Sequence, residues 1–190
     1  MTKIKVLAFA GATRTDSYNR KLIHLATQYA REAGAEVKLI DLRDYAMPLY
    51  DGDLEVASGL PEKAAELKLE MDRADAFLIA SPEYNSSVSA VLKNTIDWTS
   101  RAGAVEGSVY AGKVSALISA SPGALGGLRG LNHLRAILMN LGSLVVTPQH
   151  SVSRAHEAFA EDGSLKEAFH HQGLTSVVQE LVRVASKLKA

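Results

Sequence analysis

Three short segments hold most of the side chains in this chain that could do chemistry. In Gly11-Ala12-Thr13-Arg14-Thr15-Asp16-Ser17-Tyr18-Asn19, the hydroxyls of Thr13, Thr15 and Ser17 crowd around a guanidinium and end at a carboxamide. A planar, permanently charged fork beside hydroxyl donors suits a terminal phosphate monoester, with Asn19 as a cap or a ligand amide. The spacing is neither Gly-x-Gly-x-x-Gly nor a Walker A loop, and a hydroxyl-rich turn is also how a helix is capped. Ser81-Pro82-Glu83-Tyr84-Asn85 places an aromatic ring and several backbone amides in one turn, which suits a flat aromatic ligand. Glu83 there could act as a general acid or base, or simply fix the turn. Ser121-Pro122-Gly123-Ala124-Leu125-Gly126-Gly127 is a third loop, in which glycine permits close backbone approach. Gly126 and Gly127 also read as a tight turn before a helix.

What is missing narrows the chemistry further. The chain has no cysteine, so disulfides, thiolate nucleophiles and thiolate metal sites are removed together. Redox chemistry would have to come from a bound cofactor. His133, His150, His156, His170 and His171 are scattered without metal-ligand spacing and read as solvent-facing or capping residues. No metal site is expected, and no protein side chain is assigned as catalytic. With 21 basic and 21 acidic residues the net charge is zero, which leaves no footprint for nucleic acid or an anionic membrane surface. No apolar run approaches the about 20 residues of a membrane helix. Met1 to Lys5 lead straight into a strand, so a cytoplasmic protein is expected. A length of 190 residues suits a single domain over 1–190.

The elements that must position these loops follow from periodicity. Short apolar runs alternate with longer amphipathic stretches, the pattern of βαβ units and a parallel sheet. Strands are predicted at Ile4 to Ala10, Glu36 to Leu42, Ala76 to Ser81, Lys113 to Ala120 and Ser143 to Pro148. The first, third and fourth are nearly all apolar, as central strands covered on both faces must be. Glu36 and Lys38 in the second suit an edge. The resulting order is 2-1-3-4-5, with a switch point between the first and third strands where ligands of open sheets bind. Helices are predicted to begin near Asn19, Pro61, Ser89, Leu128 and Ser164. Loops 11–19 and 81–87 leave the first and third strands and would face one another across the crevice.

Residues 81–98, Ser-Pro-Glu-Tyr-Asn-Ser-Ser-Val-Ser-Ala-Val-Leu-Lys-Asn-Thr-Ile-Asp-Trp, resemble the flavin-ring loop of the NADPH-dependent FMN reductases, a family that includes quinone, chromate and azo-dye reductases. Residues 11–19 are similar to the family's phosphate loop at Gly11, Arg14, Ser17 and Asn19 and depart from it at Ala12 and Asp16. Residues 121–135 are similar to its glycine-rich loop at the ring edge. The resemblance implies a flavodoxin-like doubly wound five-stranded parallel sheet with helices on both faces. It also implies FMN held by Arg14, Ser17, Asn19, Pro82, Glu83, Tyr84, Asn85, Ser121 and Gly123, with Ser121 and Gly123 donating to ring carbonyls. NADPH or NADH would supply hydride, and a small oxidised acceptor such as a quinone, chromate, an azo dye or a ferric chelate would take it by ping-pong exchange.

Two other readings share parts of this sequence. A flavodoxin-type electron carrier would use the same fold and phosphate loop, although such carriers resemble one another in being strongly acidic and this chain is neutral. A flavin-free nucleotide-binding module lacks its glycine signature here. Residues 43–53, Arg-Asp-Tyr-Ala-Met-Pro-Leu-Tyr-Asp-Gly-Asp, are too apolar and aromatic for an ordinary solvated loop and resemble the family segment that reaches a neighbouring subunit. A homodimer or homotetramer is therefore expected, with Tyr50 and Trp98 buried between subunits. Lys93 and Asp97 are spaced to pair along one helix face.

Overall fold

In the structure, a computed structural model that describes residues 3–189, strand and helix alternate along the chain as the patterning requires. The expectation at Met1 and Thr2 lies outside the described residues. The first half runs β1 (Lys5–Ala10), α1 (Tyr18–Glu32), β2 (Glu36–Leu39), a 3-10 turn (Leu42–Tyr45), α2 (Gly52–Ser58) and α3 (Glu62–Asp72). It continues through β3 (Ala76–Ala80), a hairpin of β4 (Glu83–Tyr84) and β5 (Ser87–Val88), and α4 (Ala90–Thr99). The last part is β6 (Val114–Ala120), α5 (Leu128–Asn140), β7 (Leu144–Val152), α6 (Ala155–Ala158) and α7 (Ala168–Lys189).

Five parallel strands form one sheet in the order β2-β1-β3-β6-β7, the order expected from the sequence. Every residue of β3 and β6 is buried, as is all of β1 after Lys5. The pleat sends Val6, Ala8, Leu78 and Ile118 to one face, where they pack with Leu22 and Ile23 of α1 and Val178 and Leu181 of α7. Leu7, Phe9, Phe77, Ile79 and Leu117 point to the other face, against Leu67 and Met71 of α3, Leu92 and Ile96 of α4, and Leu131 and Leu134 of α5. Alternation on a central strand thus feeds two cores. Among the described residues no helix is long and apolar enough to cross a membrane.

Several boundaries differ from the sequence reading, each for a local reason. β2 stops at Leu39 rather than Leu42, because the Asp41 carboxylate accepts from the Arg43 amide (3.0 Å) and opens the 3-10 turn. β7 continues past Pro148 to Val152 with a register shift opposite Ser115 and Leu117; a proline is tolerated on an edge strand. Ser164 does not cap the last helix. Its amide and hydroxyl both donate to Asp162 Oδ1 (2.9 and 2.7 Å), and the helix starts at Ala168.

Trp98 is a correction. It is completely buried within this one chain, where its indole N–H donates to the Pro48 carbonyl (2.8 Å) and Tyr50 packs edge-on at 5.0 Å. It is therefore core, not subunit interface. Asn94 completes the staple, accepting from the Tyr50 amide (2.7 Å) and donating to Pro48 O (2.9 Å). Beyond that staple the segment is exposed: α2 buries no residue, and Leu49 and Val56 are 79% and 90% exposed. The histidines also differ from expectation. His150 and His170 are buried and hydrogen-bonded ring to ring (3.0 Å), and His171 bridges the Tyr29 hydroxyl and the Leu165 carbonyl. Lys93 and Asp97 do pair, at 2.7 Å.

Candidate functional site

At the carboxyl end of β1 the chain turns through residues whose hydrogen-bonding capacity is unspent. Gly11 is held on both sides, its amide donating to Ala80 O (2.9 Å) and its carbonyl accepting from Ser89 Oγ (2.6 Å). A Cβ here would lie 2.9 Å from the Leu92 side chain, so only glycine lets α4 approach this closely. From Thr13 to Asn19, no backbone N–H donates to any described residue. Ser17 is the N-cap of α1 yet makes no side-chain capping bond. Arg14 forms neither a hydrogen bond nor an ion pair among the described residues. Free amides at a helix amino end, a free hydroxyl and a free guanidinium make an anion cradle. These donors fit the phosphate of FMN. Ala12 is buried in the core, and Asp16 lines the cleft beside Arg14.

Asn19, read as a cap or a ligand amide, lines the cleft and is also tied into the fold. Its Nδ2 donates to the Ala120 carbonyl (2.8 Å) and its Oδ1 accepts from the Ala120 amide (3.0 Å). The first turn of α1 is thereby fastened to the end of β6, and the carboxamide holds the cradle in place.

The second wall is the β4–β5 hairpin. Pro82 is buried at the end of β3, and the chain reverses at Asn85 (φ 51°) and Ser86 (φ 65°). Positive φ at both central residues is the turn geometry that matches the twist of a two-residue hairpin. The Tyr84 side chain is 55% exposed at this tip. Glu83 is turned inward. Its Oε1 accepts from Arg129 Nε (2.9 Å) and Nη2 (2.8 Å), and its Oε2 accepts from the Gly130 amide (3.1 Å). Burial alone would raise this carboxyl's pKa, but the Gly130 amide and the Arg129 guanidinium outweigh it and hold the group below the usual carboxylate range. A carboxylate bound in this way is no general acid or base.

The third wall is the loop after β6. Ser121 Oγ accepts from the Gly123 amide (3.2 Å), and the Gly123 carbonyl accepts from the Arg154 amide (3.3 Å). The Gly123 N–H is therefore spent within the loop, a correction to its expected role as a donor. The Ser121 hydroxyl hydrogen stays available. Gly126 has φ 62°, and a Cβ there would meet the Val152 carbonyl carbon at 2.7 Å. Gly126 and Gly127 are thus structural turn residues, as read.

The three walls enclose a cleft of about 140 Å³ bordered by Arg14, Ser17, Asn19, Pro82, Glu83, Tyr84 and Ser121. Asn85 faces away from it, into an apolar groove with Val88, His133 and Ile137. Ser89, Arg129 and Gly130 also build the site; Ser89 was expected only as a helix start, and the contacts that Arg129 and Gly130 make with Glu83 were not foreseen. The only sequence signal was glycine at 130 within a helix, an uncommon choice there. Arg135 is bound to Gln149 (3.0 Å) and to carbonyls of β7, and Arg129 is bound to Glu83.

This arrangement has close counterparts. The chain is 35% identical to an NAD(P)H:quinone oxidoreductase of Solanum tuberosum over 98% of its own length and 95% of the relative's. It is 36% identical to an NAD(P)H-dependent FMN reductase of Pseudomonas aeruginosa, covering 85% of this chain and 84% of that one. Among solved structures, FerB, a flavoenzyme NAD(P)H:(acceptor) oxidoreductase of Paracoccus denitrificans, superposes with a TM-score of 0.83 at 29% identity, covering 97% and 98% of the two chains. The model of the NADPH-dependent FMN reductases matches residues 4–157, which contain the cradle, the hairpin and the glycine-rich loop. Fold, cleft and relatives agree: the chain belongs to the NADPH-dependent FMN reductase family.

Proposed function

We propose that this chain is an NAD(P)H-dependent, FMN-containing oxidoreductase that passes hydride to quinones and other small oxidised acceptors, in two half-reactions that share one cleft. The observation that carries this reading is the meeting of an unspent anion cradle at residues 13–19 with the Tyr84 hairpin and the Ser121 loop. When bound, FMN supplies the site that accepts and returns hydride. The protein contributes position and electrostatics. Arg14, Ser17 and the free amides hold the phosphate by charge-assisted bonds. Pro82 and Tyr84 border the ring, Ser121 offers its hydroxyl at the ring edge, and Asn85 makes the turn that carries Tyr84. Asn19 and Gly123 keep the walls in register. Acceleration then comes from alignment and from donors fixed in advance. The chemistry calls on no side chain as nucleophile, acid or base.

The relatives named as quinone oxidoreductases support quinones as the acceptor class. A homodimer or homotetramer is part of the proposal, supported by exposed Leu49 in the segment before α2 and by exposed Val56 on α2, a helix that buries nothing. So is a cytoplasmic setting, where reduced nicotinamide is at hand.

The deciding experiment is stopped-flow mixing of the FMN-loaded protein with NADPH and no acceptor. The visible flavin band should bleach no slower than steady-state turnover and return when quinone is added. Bleaching slower than turnover would defeat the two-half-reaction scheme. A simple electron carrier would oxidise no NADPH without a separate reductase.

A further inference from the structure

The β4–β5 hairpin cannot hold its own shape. It has two residue pairs, Glu83 with Val88 and Tyr84 with Ser87, and a two-stranded hairpin of any length is marginal in water. Its turn also keeps Asn85 and Ser86, neither a glycine, at positive φ, a conformation that must be imposed by the surroundings. The surroundings are the amino end of α5. Glu83 takes donors from Arg129 and from the amide of Gly130, the third residue of that helix. That amide is one of the orphan donors of a helix start, and the N-cap residue, Gly127, has no side chain to satisfy it. A carboxylate from another element therefore caps α5, where its charge is also favoured. Contact is close because residue 130 is glycine: a Cβ there would stand 3.2 Å from Ser87 O and 3.3 Å from Glu83 Cβ. One turn along, His133 Nδ1 meets Ser87 Oγ at 3.0 Å.

The same helix end is continuous with the glycine-rich loop, which Ser119 Oγ ties down through Gly126 O (2.7 Å). We propose that Glu83 is a positioning residue whose carboxylate latches the Tyr84 hairpin to α5 and so sets the spacing between the two walls of the ring site. The inference rests on the flavin reading above. Glu83 acts through the hairpin and not by touching the cofactor with its side chain, whose oxygens are already engaged.

The test is a fluorescence titration of the full chain and its variants with FMN and with riboflavin. A latch on the ring walls leaves the phosphate cradle alone. Glu83→Ala should weaken FMN and riboflavin by the same factor, about tenfold, with their affinity ratio as in the wild type. Glu83→Gln keeps an acceptor for the Gly130 amide and should recover part of the loss. A merely structural role would lower the denaturation midpoint of Glu83→Ala and leave the folded protein's affinities unchanged. Unchanged affinities, or a loss confined to FMN, would overturn the latch. Should Glu83→Ala not fold, Arg129→Ala carries the test, since that side chain is 57% exposed: a smaller parallel loss for both ligands supports the latch, and wild-type affinity for both refutes it. A wild-type chain that takes up no FMN defeats the flavin reading and the latch with it; wild-type binding matched by the variants defeats the latch alone.

Discussion

Arg14 stands at the cleft without a partner among the described residues, and an unpaired guanidinium beside free amides is ready for a dianion. Arg14→Ala should weaken FMN binding about 10- to 100-fold and leave riboflavin, which lacks the phosphate, unaffected; parallel titrations check it. His150 makes a second residue-scale prediction. Burial, and then the neighbouring His170, push its pKa down from 6.5 to about 4. The unfolded chain therefore binds a proton at this residue between those values while the folded chain does not, and stability falls as pH drops from about 6.5 to about 4. The slope should amount to about 1–3 kcal/mol across that window and flatten in His150→Gln, as read by urea midpoints at a series of pH values. No feature of the sequence marked His150 as buried. Its ring fits only because residue 173, on the helix that crosses it, is glycine, and that juxtaposition exists only in the folded chain.

At the scale of elements, what could be read in advance was what periodicity records. β1, β3 and β6 announce themselves because strands covered on both faces are apolar throughout, and the sheet order followed from them. The elements that escaped leave no such trace. α2 buries nothing, so it has no apolar stripe. β4 and β5 are two residues each, too short for alternation to show, and their turn is Asn-Ser where Asn-Gly would have signalled a hairpin. Of the candidate site, the cradle was legible because its chemistry is local. The roles of Asn19 and Glu83 were not, since Ala120 lies 101 residues from the one and Gly130 lies 47 from the other. The glycine-rich loop gives the prediction at this scale. Gly126→Ala combines positive φ with a backbone contact of 2.7 Å, and should cost about 1–3 kcal/mol or more in a denaturant titration, whereas Gly123→Ala, with only Ser121 Oγ at 3.6 Å, should be nearly silent.

For the whole molecule, the exposed arm around α2 bears on assembly. Leu49 and Val56 present large apolar side chains to water, and these are the residues through which a second copy would be held if the arm is a contact surface. Light scattering at micromolar concentration should give a multiple of 20.3 kDa, and Leu49→Asp with Val56→Asp should shift the mass to that of one chain while α3 and the sheet stay folded. Trp98 would not respond to that dissociation, being covered by its own chain, so its fluorescence serves as an internal control.

The clamp between Asn19 and Ala120 has a consequence in time. The cradle cannot be completed until β6 has taken its place in the sheet, because the residue that steadies α1 waits for a partner 101 positions later. A nascent chain emerging from the ribosome would carry the whole phosphate loop for most of its synthesis without being able to use it. FMN is therefore a late arrival that seals a finished fold and does not template one. Added FMN should leave the refolding rate unchanged and slow unfolding, as stabilisation that is absent from the transition state does.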